Sequence, residues 1–137
     1  MANFVVDASA ALAWCFEDEA GGYADGLLER LRHGAQIVVP AHWPTEVLNG
    51  LLVAVRRRRI HAGQPALLWH ELSRLPIEIE PPLSADQGTA ILALGDKHGL
   101  TVYDAAYVEL AHRRKLPLGS LDEDLRKAAQ ASGVALI

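Results

Sequence analysis

Cysteine is nearly absent. Cys15 stands alone, which excludes an internal disulfide and leaves no second thiol for a zinc knuckle or a redox pair. A reducing, cytoplasmic setting is the expectation. Nowhere do some eighteen uncharged apolar residues follow one another, the N-terminus has no basic region, and its apolar stretch is broken by Asp7. Neither a membrane span nor a leader is therefore expected. Histidine is present but unpatterned: His33, His42, His61, His70, His98 and His112 are scattered, with no HExxH, and only His112 is expected near the acidic site described below. Positive charge is in deficit, 13 Lys and Arg against 17 Asp and Glu for a formal charge of −4. That balance argues against a nucleic-acid partner unless the cations cluster, because phosphates are contacted by Lys and Arg. Internal repeats, low-complexity tracts and linkers are missing as well, and Pro81-Pro82 reads as a loop.

What the chain does have is the means to build a core. Half of its 137 residues are hydrophobic and 22% are charged, the balance of an ordinary folded protein. A domain of this length buries roughly two-thirds of its unfolded surface. Short runs rich in β-branched residues, Phe4-Val5-Val6, Ile37-Val38-Val39, Ile77-Glu78-Ile79 and Val134 to Ile137, read as strands, with Leu116-Pro117-Leu118 as a further short one. Between them, "TEVLNGLLVAVRRR" carries an apolar stripe of Val47, Leu48, Leu51, Leu52 and Val55 behind a first-turn Pro44. "ADQGTAILALGDKHG" is helical and closes at Gly99, and "DAAYVELAHRRK" and "DEDLRKAAQASG" are two further helices. Strands alternating with helices predict a three-layer α/β/α sandwich with a parallel central sheet, one unit over residues 1–137.

In that arrangement Asp7 and Asp122 fall just after strands, Asp104 opens a helix after Thr101-Val102-Tyr103, and Glu46 lies in the first turn of the helix after Ile37-Val39. Strand-to-helix junctions of an open α/β sheet share one edge, where ligands bind. Taken singly, each acid is explained as a helix cap or a partner of the helix dipole. Taken together, they conflict: two carboxylates about 5 Å apart repel by about 3 kcal/mol at an effective dielectric near 20. A divalent cation relieves that, and an all-oxygen donor set suits a hard ion such as Mg²⁺ or Mn²⁺.

The segments "FVVDASAALAW", "PTEVLNGLL", "TVYDAAYVELA" and "LGSLDEDL" resemble, in order and spacing, the four signature segments of the PIN domain, and in particular of the VapC-type toxin ribonucleases. The likeness covers nearly the whole chain, as a single PIN-like domain. It implies a metal-dependent endoribonuclease, the toxin of a toxin–antitoxin pair, using Mg²⁺ or Mn²⁺. The family's acids fall on Asp7, Glu46, Asp104 and Asp122. Its hydroxyls near the first and last acids fall on Ser9 and Ser120, and its asparagine one turn after the glutamate on Asn49. Ser120 stands where threonine is commoner, and Glu123 and Asp124 are extra acids. Asp7 and Asp104 are expected to bind metal most directly, with Asp122 and Glu46 completing the set, Glu46 either as ligand or by orienting or deprotonating a water. The resemblance also implies a homodimer through the early and middle helices. An antitoxin peptide would lie in a hydrophobic groove, to which "AALAW" and "LLVAV" are candidate contributors.

Two clusters of cations are candidates for RNA contact: Arg56, Arg57, Arg58 and Arg59 at the end of one helix, and Arg113 and Arg114, followed by Lys115, at the end of another. Cations at a helix C-terminus are equally favoured by the dipole alone. Trp14, Trp43 and Trp69 are open to two roles, base stacking or core, and Trp43 beside Pro44 also reads as a helix-entry staple. A haloacid-dehalogenase-like phosphatase needs a second aspartate two residues after the first, where this chain has Ser9. A receiver domain needs an acidic pair by the first strand, which is missing. The remaining alternative is a catalytically inactive PIN-like module that binds RNA or protein.

Overall fold

The computed structural model describes residues 2–16 and 21–137. Its elements are β1 (Phe4–Val6), α1 (Ala8–Ala13), α2 (Gly22–Arg32), β2 (Ile37–Val39), α3 (Trp43–Arg56), α4 (Gln64–Ser73), β3 (Ile77–Ile79), α5 (Ala85–His98), α6 (Val102–Arg114), β4 (Leu118–Gly119) and α7 (Glu123–Ala131). The four strands form one parallel sheet in the order β3-β2-β1-β4. Phe4 pairs with Ile37 and Val5 with both Val38 and Leu118, so β1 is central and every side chain of β1 and β2 is fully buried. Such strands, apolar on both faces, belong to a parallel sheet covered from both sides.

Chain order and strand order together place the layers. From β1 to β2 to β3 the chain steps one way across the sheet; from β3 to β4 it steps back past β1. Right-handed crossovers then put α1 to α4 on one face and α5 and α6 on the other. The packing agrees, since α1 contacts α2 and α3, α3 contacts α4, α6 contacts α5 and α7, and both α1 and α6 lie on β1.

The helices begin and end where local chemistry dictates. Ser84 and Gln87 form a reciprocal capping box at the start of α5, which closes at Gly99 in the left-handed region with φ 65°. On α3 the buried positions are Trp43, Val47, Leu51 and Ala54, a narrower stripe than expected, because Leu48 and Leu52 are 43% and 45% exposed. In α6 every residue from Ala105 to Leu110 is buried, and so is Ala111, so this helix is enclosed on all sides.

Several expectations need correction. The α2 and α4 helices were not singled out by the sequence pattern. Helix α3 ends at Arg56, so Arg57 to Arg59 lie beyond it, with Arg58 at φ 60°. The terminal Val134 to Ile137 run makes only a single parallel bridge, Leu136 to Leu118, rather than a strand. Thr101 caps α6 by accepting from the Asp104 N–H at 3.1 Å, so the helix starts at Val102 and absorbs the strand-like Val102-Tyr103. Trp43 is core, 6.4 Å from Trp69, and "AALAW" is mostly core too, with Ala10, Ala11 and Ala13 buried and the Trp14 indole donating to the Ala24 carbonyl. Among the described residues no helix is long and apolar enough to cross a membrane.

Candidate active site

The crossovers leaving β1 and β4 diverge to opposite faces of the sheet, which opens a crevice at the carboxyl ends of these two neighbours. Asp7 follows β1 directly and Ser120 follows β4 directly. The two are joined: the Ser120 hydroxyl donates to Asp7 Oδ2 at 2.6 Å. Asp7 Oδ1 accepts from the Ser9 hydroxyl at 2.7 Å and from the Ala10 N–H at 3.1 Å, which also makes it the cap of α1. Both hydroxyls then accept from the backbone of the β4–α7 turn, Ser120 from the Asp122 N–H at 2.9 Å and Ser9 from the Leu121 N–H at 3.2 Å. From behind, the Tyr23 hydroxyl accepts from the Ser120 N–H at 3.0 Å and from Arg126 at 3.2 Å. Two serines thus lock the turn carrying Asp122 onto the carboxylate of Asp7.

Asp7 is 5% exposed. Burial pushes its carboxyl above the usual range and the Asp122 charge adds to this, while Ser120, Ser9 and Ala10 oppose. Asp122 caps α7 through the Leu125 N–H at 3.0 Å. Asp104, in the first turn of α6, is pushed up to about 6, first by burial and then by Asp122, Glu46 and Asp7, with His42 opposing. Asp104 follows a helix–helix turn and not a strand, so three of the four acids, not four, sit at strand-to-helix junctions. The enclosed helix α6 nevertheless delivers it to the same charge field.

Glu46 is held from two sides. The Tyr107 hydroxyl donates to Glu46 Oε1 at 2.6 Å, and His42 Nε2 lies 3.3 Å from the same oxygen and 3.1 Å from the Tyr103 carbonyl. Both neighbours of that nitrogen are acceptors, so Nε2 carries the proton. Burial raises the Glu46 carboxyl, but the hydrogen bonds from His42 and Tyr107 and the His42 charge outweigh it, and the net shift is downward. Tyr107 is 1% exposed, and burial followed by the Glu46 contact raises its phenol far above the ordinary value.

His42 and Tyr107 were missed in the sequence. The available signals were local: His42 precedes Glu46 by one helical turn, and Tyr107 follows Asp104 by three residues on α6. His112 is instead at the far end of α6, lining a separate cavity with Lys97, His98 and Glu109. Asn49 is exposed one turn along α3 and joins none of the hydrogen bonds above. Arg113 is engaged by Glu80 at 2.7 Å and Glu109 at 2.9 Å, and Arg114 by Glu80 at 3.0 Å and by Glu78, so both arginines expected at RNA are committed to ion pairs. Arg59 lies 4.2 Å over the Phe16 ring.

Asp104 and Asp122 line one cavity of about 560 Å³, and Asp122 and Ser9 line a second of about 380 Å³ on the other side. Among the described residues, no three His, Cys, Asp or Glu side chains stand together as a ready-made ligand set. The acids act on one another through charge without forming a closed cage.

Comparison with known proteins adds a second line. Residues 4–131 match the family described as the PIN domain. Ribonuclease VapC3 of Pyrobaculum aerophilum is 31% identical over 123 residues, which span 90% of this chain and 92% of that protein. The structure of VapBC2 from Rickettsia felis, bound to a DNA fragment from its promoter, superposes with a TM-score of 0.67 at 13% identity, covering 100% of this chain and 98% of the other. VapC20 of Mycobacterium tuberculosis, a Sarcin-Ricin loop cleaving toxin, gives 0.61 at 17% identity, covering 98% of both. At those identities the two structures speak to the fold alone.

Proposed function

Because this chain belongs to the PIN-domain family, we propose that it is a metal-dependent endoribonuclease and the toxin of a toxin–antitoxin pair. The observation that carries the reading is the convergence of charge on Asp104, whose half-buried carboxyl is pushed up to about 6 first by burial and then by the carboxylates at the ends of β1 and β4 and at the start of α3. Helix caps with no further role would not be gathered at such cost.

The donor set fits a hard divalent cation, Mg²⁺ or Mn²⁺. Such an ion keeps several waters and binds through one or two carboxylates plus substrate phosphates rather than in an all-protein cage. An open set of acids meets that requirement without a preformed cluster. Asp104 and Asp122, which share a cavity, would hold it most directly, in place of the expected pair Asp7 and Asp104, because Asp7 is buried with both oxygens engaged by Ser9 and Ser120 and would stand beside them. Bound there, the ion supplies neutralisation at the phosphodiester and a water of lowered pKa.

The remaining roles belong to the chain. Ser9 and Ser120 fix both oxygens of Asp7 and so set its rotamer. Glu46, kept ionised by Tyr107 and His42, is a weakened base; it serves as a fixed charge that orients a water. The antitoxin would cover exposed apolar side chains, for which Leu48 and Leu52 on α3 and Leu67 on α4 are candidates, and pairing of two copies would draw on the same helices.

Single-turnover cleavage of RNA with added Mg²⁺ or Mn²⁺ tests the assignment. Asp7→Asn and Asp104→Asn are each expected to lower the rate by about 10²-fold or more, the scale on which preorganised charge acts. Full activity in both variants would overturn it.

A further inference from the structure

The two cavities that meet at Asp122 differ in their walls. The larger continues from Asp104 and Asp122 past Thr101 and His98 to Lys127. The smaller continues from Ser9 and Asp122 over the apolar floor of Phe16 and Val53 to Arg57 and Arg59. Each is therefore lined by both carboxylate and cation, and beyond the shared Asp122 the two have different walls, one formed by α6 and α7 and one by α1 and α3.

Lys127 is exposed on α7, one turn beyond Asp124, which lines the same cavity, yet the two form no ion pair. Three other cations are engaged within the fold: Arg113 and Arg114 with glutamates, and Arg126 with Tyr23, the Ser120 carbonyl and Ile137. Arg57 is the C-cap of α3 and lies about 16 Å along the helix from Glu46. It is thus placed for a phosphate some way along the strand from the reacting one.

We propose that a single strand of RNA crosses the carboxylates at Asp122, running from one cavity into the other, with Lys127 holding a backbone phosphate on one side and Arg57 holding one on the other. This rests on the nuclease reading and deepens it by assigning the substrate's course. The chemistry of both walls supports it. A strand of anionic phosphates and flat bases suits cavities lined by a cation together with apolar side chains, Leu100 and Ala128 in the larger and Phe16 and Val53 in the smaller. Arg57, about 16 Å along α3 from Glu46, is too far to touch the scissile phosphate, and Lys127, which shares the cavity of Asp104 and Asp122, holds the phosphate next to it. Lys127 and Arg57 therefore act on binding and positioning, not on the chemical step.

The measurement is the salt dependence of binding to a short fluorescent single-stranded oligoribonucleotide, at fixed low Mg²⁺. Cleavage is disabled by Asp7→Asn, with Glu46→Gln as a second background should the first fail to fold. For single strands, log affinity falls with log salt by about 0.7 per phosphate neutralised. Lys127→Gln and Arg57→Gln are each expected to make the slope shallower by about 0.7 and the double variant by about 1.4. Lys127→Arg should restore the slope, and Arg32→Gln, on the exposed end of α2 beside Glu29, should leave it unchanged. In the cleavage-competent protein the same two Gln variants should raise KM with little change in kcat.

Slopes unchanged in both variants, in a protein whose parent cleaves RNA, overturn the path and leave the nuclease standing. A change in only one of them rejects the two-sided course. A parent chain that neither binds nor cleaves RNA removes the nuclease reading itself.

Discussion

Asp7 shows how one side chain is made to serve two roles. As the cap of α1 it accepts the Ala10 N–H, and as a buried carboxylate it draws in two hydroxyls from opposite sides. Glu46 is treated in the same way, by a buried phenol in place of serines. A hydrogen bond to an ionised group contributes about 1.5–3 kcal/mol. Tyr107→Phe is therefore expected to lower stability by about that amount in urea denaturation. The Glu46 carboxyl should at the same time titrate higher, as followed by NMR, because one of the bonds that hold it down is lost. An unmoved Glu46 titration would mean that His42 alone sets its acidity. Asp7 and Glu46 were legible in the sequence because acids at element boundaries stand out in an apolar context. Tyr107 and His42 were not, since an aromatic residue inside an apolar helix reads as core until its hydroxyl is seen to face a carboxylate.

Among the elements, α1 and α3 set the geometry of the acidic crevice, because Asp7 caps the first and Glu46 sits in the first turn of the second. Their close approach depends on Gly50, where an added Cβ would lie 2.4 Å from Leu12 Cδ1. Gly50→Ala is expected to cost at most about 1 kcal/mol, because the half-buried Leu12 side chain can turn aside and alanine's better helix propensity offsets part of the overpacking. Because the obstacle is the end of a leucine side chain and not backbone, Leu12→Ala in the same protein should recover part of the loss relative to additive behaviour. A double variant whose stability is simply additive would show that the helices separate by some other route. The α3 stripe illustrates what a helical pattern conveys and where it stops. Val47 and Leu51 are core as expected, whereas Leu48 and Leu52 are not, because a helix lying on a sheet buries less of its circumference than its apolar residues span. The same limit applied to α6, where Thr101 capping moved the start of the helix ahead of Asp104.

For the whole molecule, the acids store a repulsion that a cation should release. Asp104 is raised, so the folded protein keeps its proton to higher pH than the unfolded chain does. Between about 4 and about 6 the fold therefore loses stability as pH rises, and above about 6 that loss is complete. The group is half-exposed, and solvent screening makes the loss modest. A cation that binds the ionised acids stabilises the fold by mass action. The melting temperature should therefore rise on adding Mg²⁺ at neutral pH, and the rise should shrink as pH falls through about 6. A Mg²⁺ effect independent of pH, or absent in all conditions, would contradict the charge convergence at Asp104.

The sequence by itself determined the parallel α/β architecture, since buried β-branched triplets such as Ile37-Val38-Val39 alternating with capped helices admit few other arrangements. It also marked the four acids, because ionised groups beside apolar runs have few reasons to be there. The resemblance already pointed to Ser9 and Ser120 beside the acids; the tertiary structure alone decided that Tyr107 and His42 stand behind Glu46 and that Arg113 and Arg114 pair with glutamates. Glu46 and Tyr107, and Arg113 and Glu80, are remote in the chain and meet only through the order in which the strands pair. That order is fixed by packing summed over the whole core. No local spacing encodes it, and so a cluster of arginines that reads as an RNA contact in the sequence can prove, once folded, to be holding glutamates.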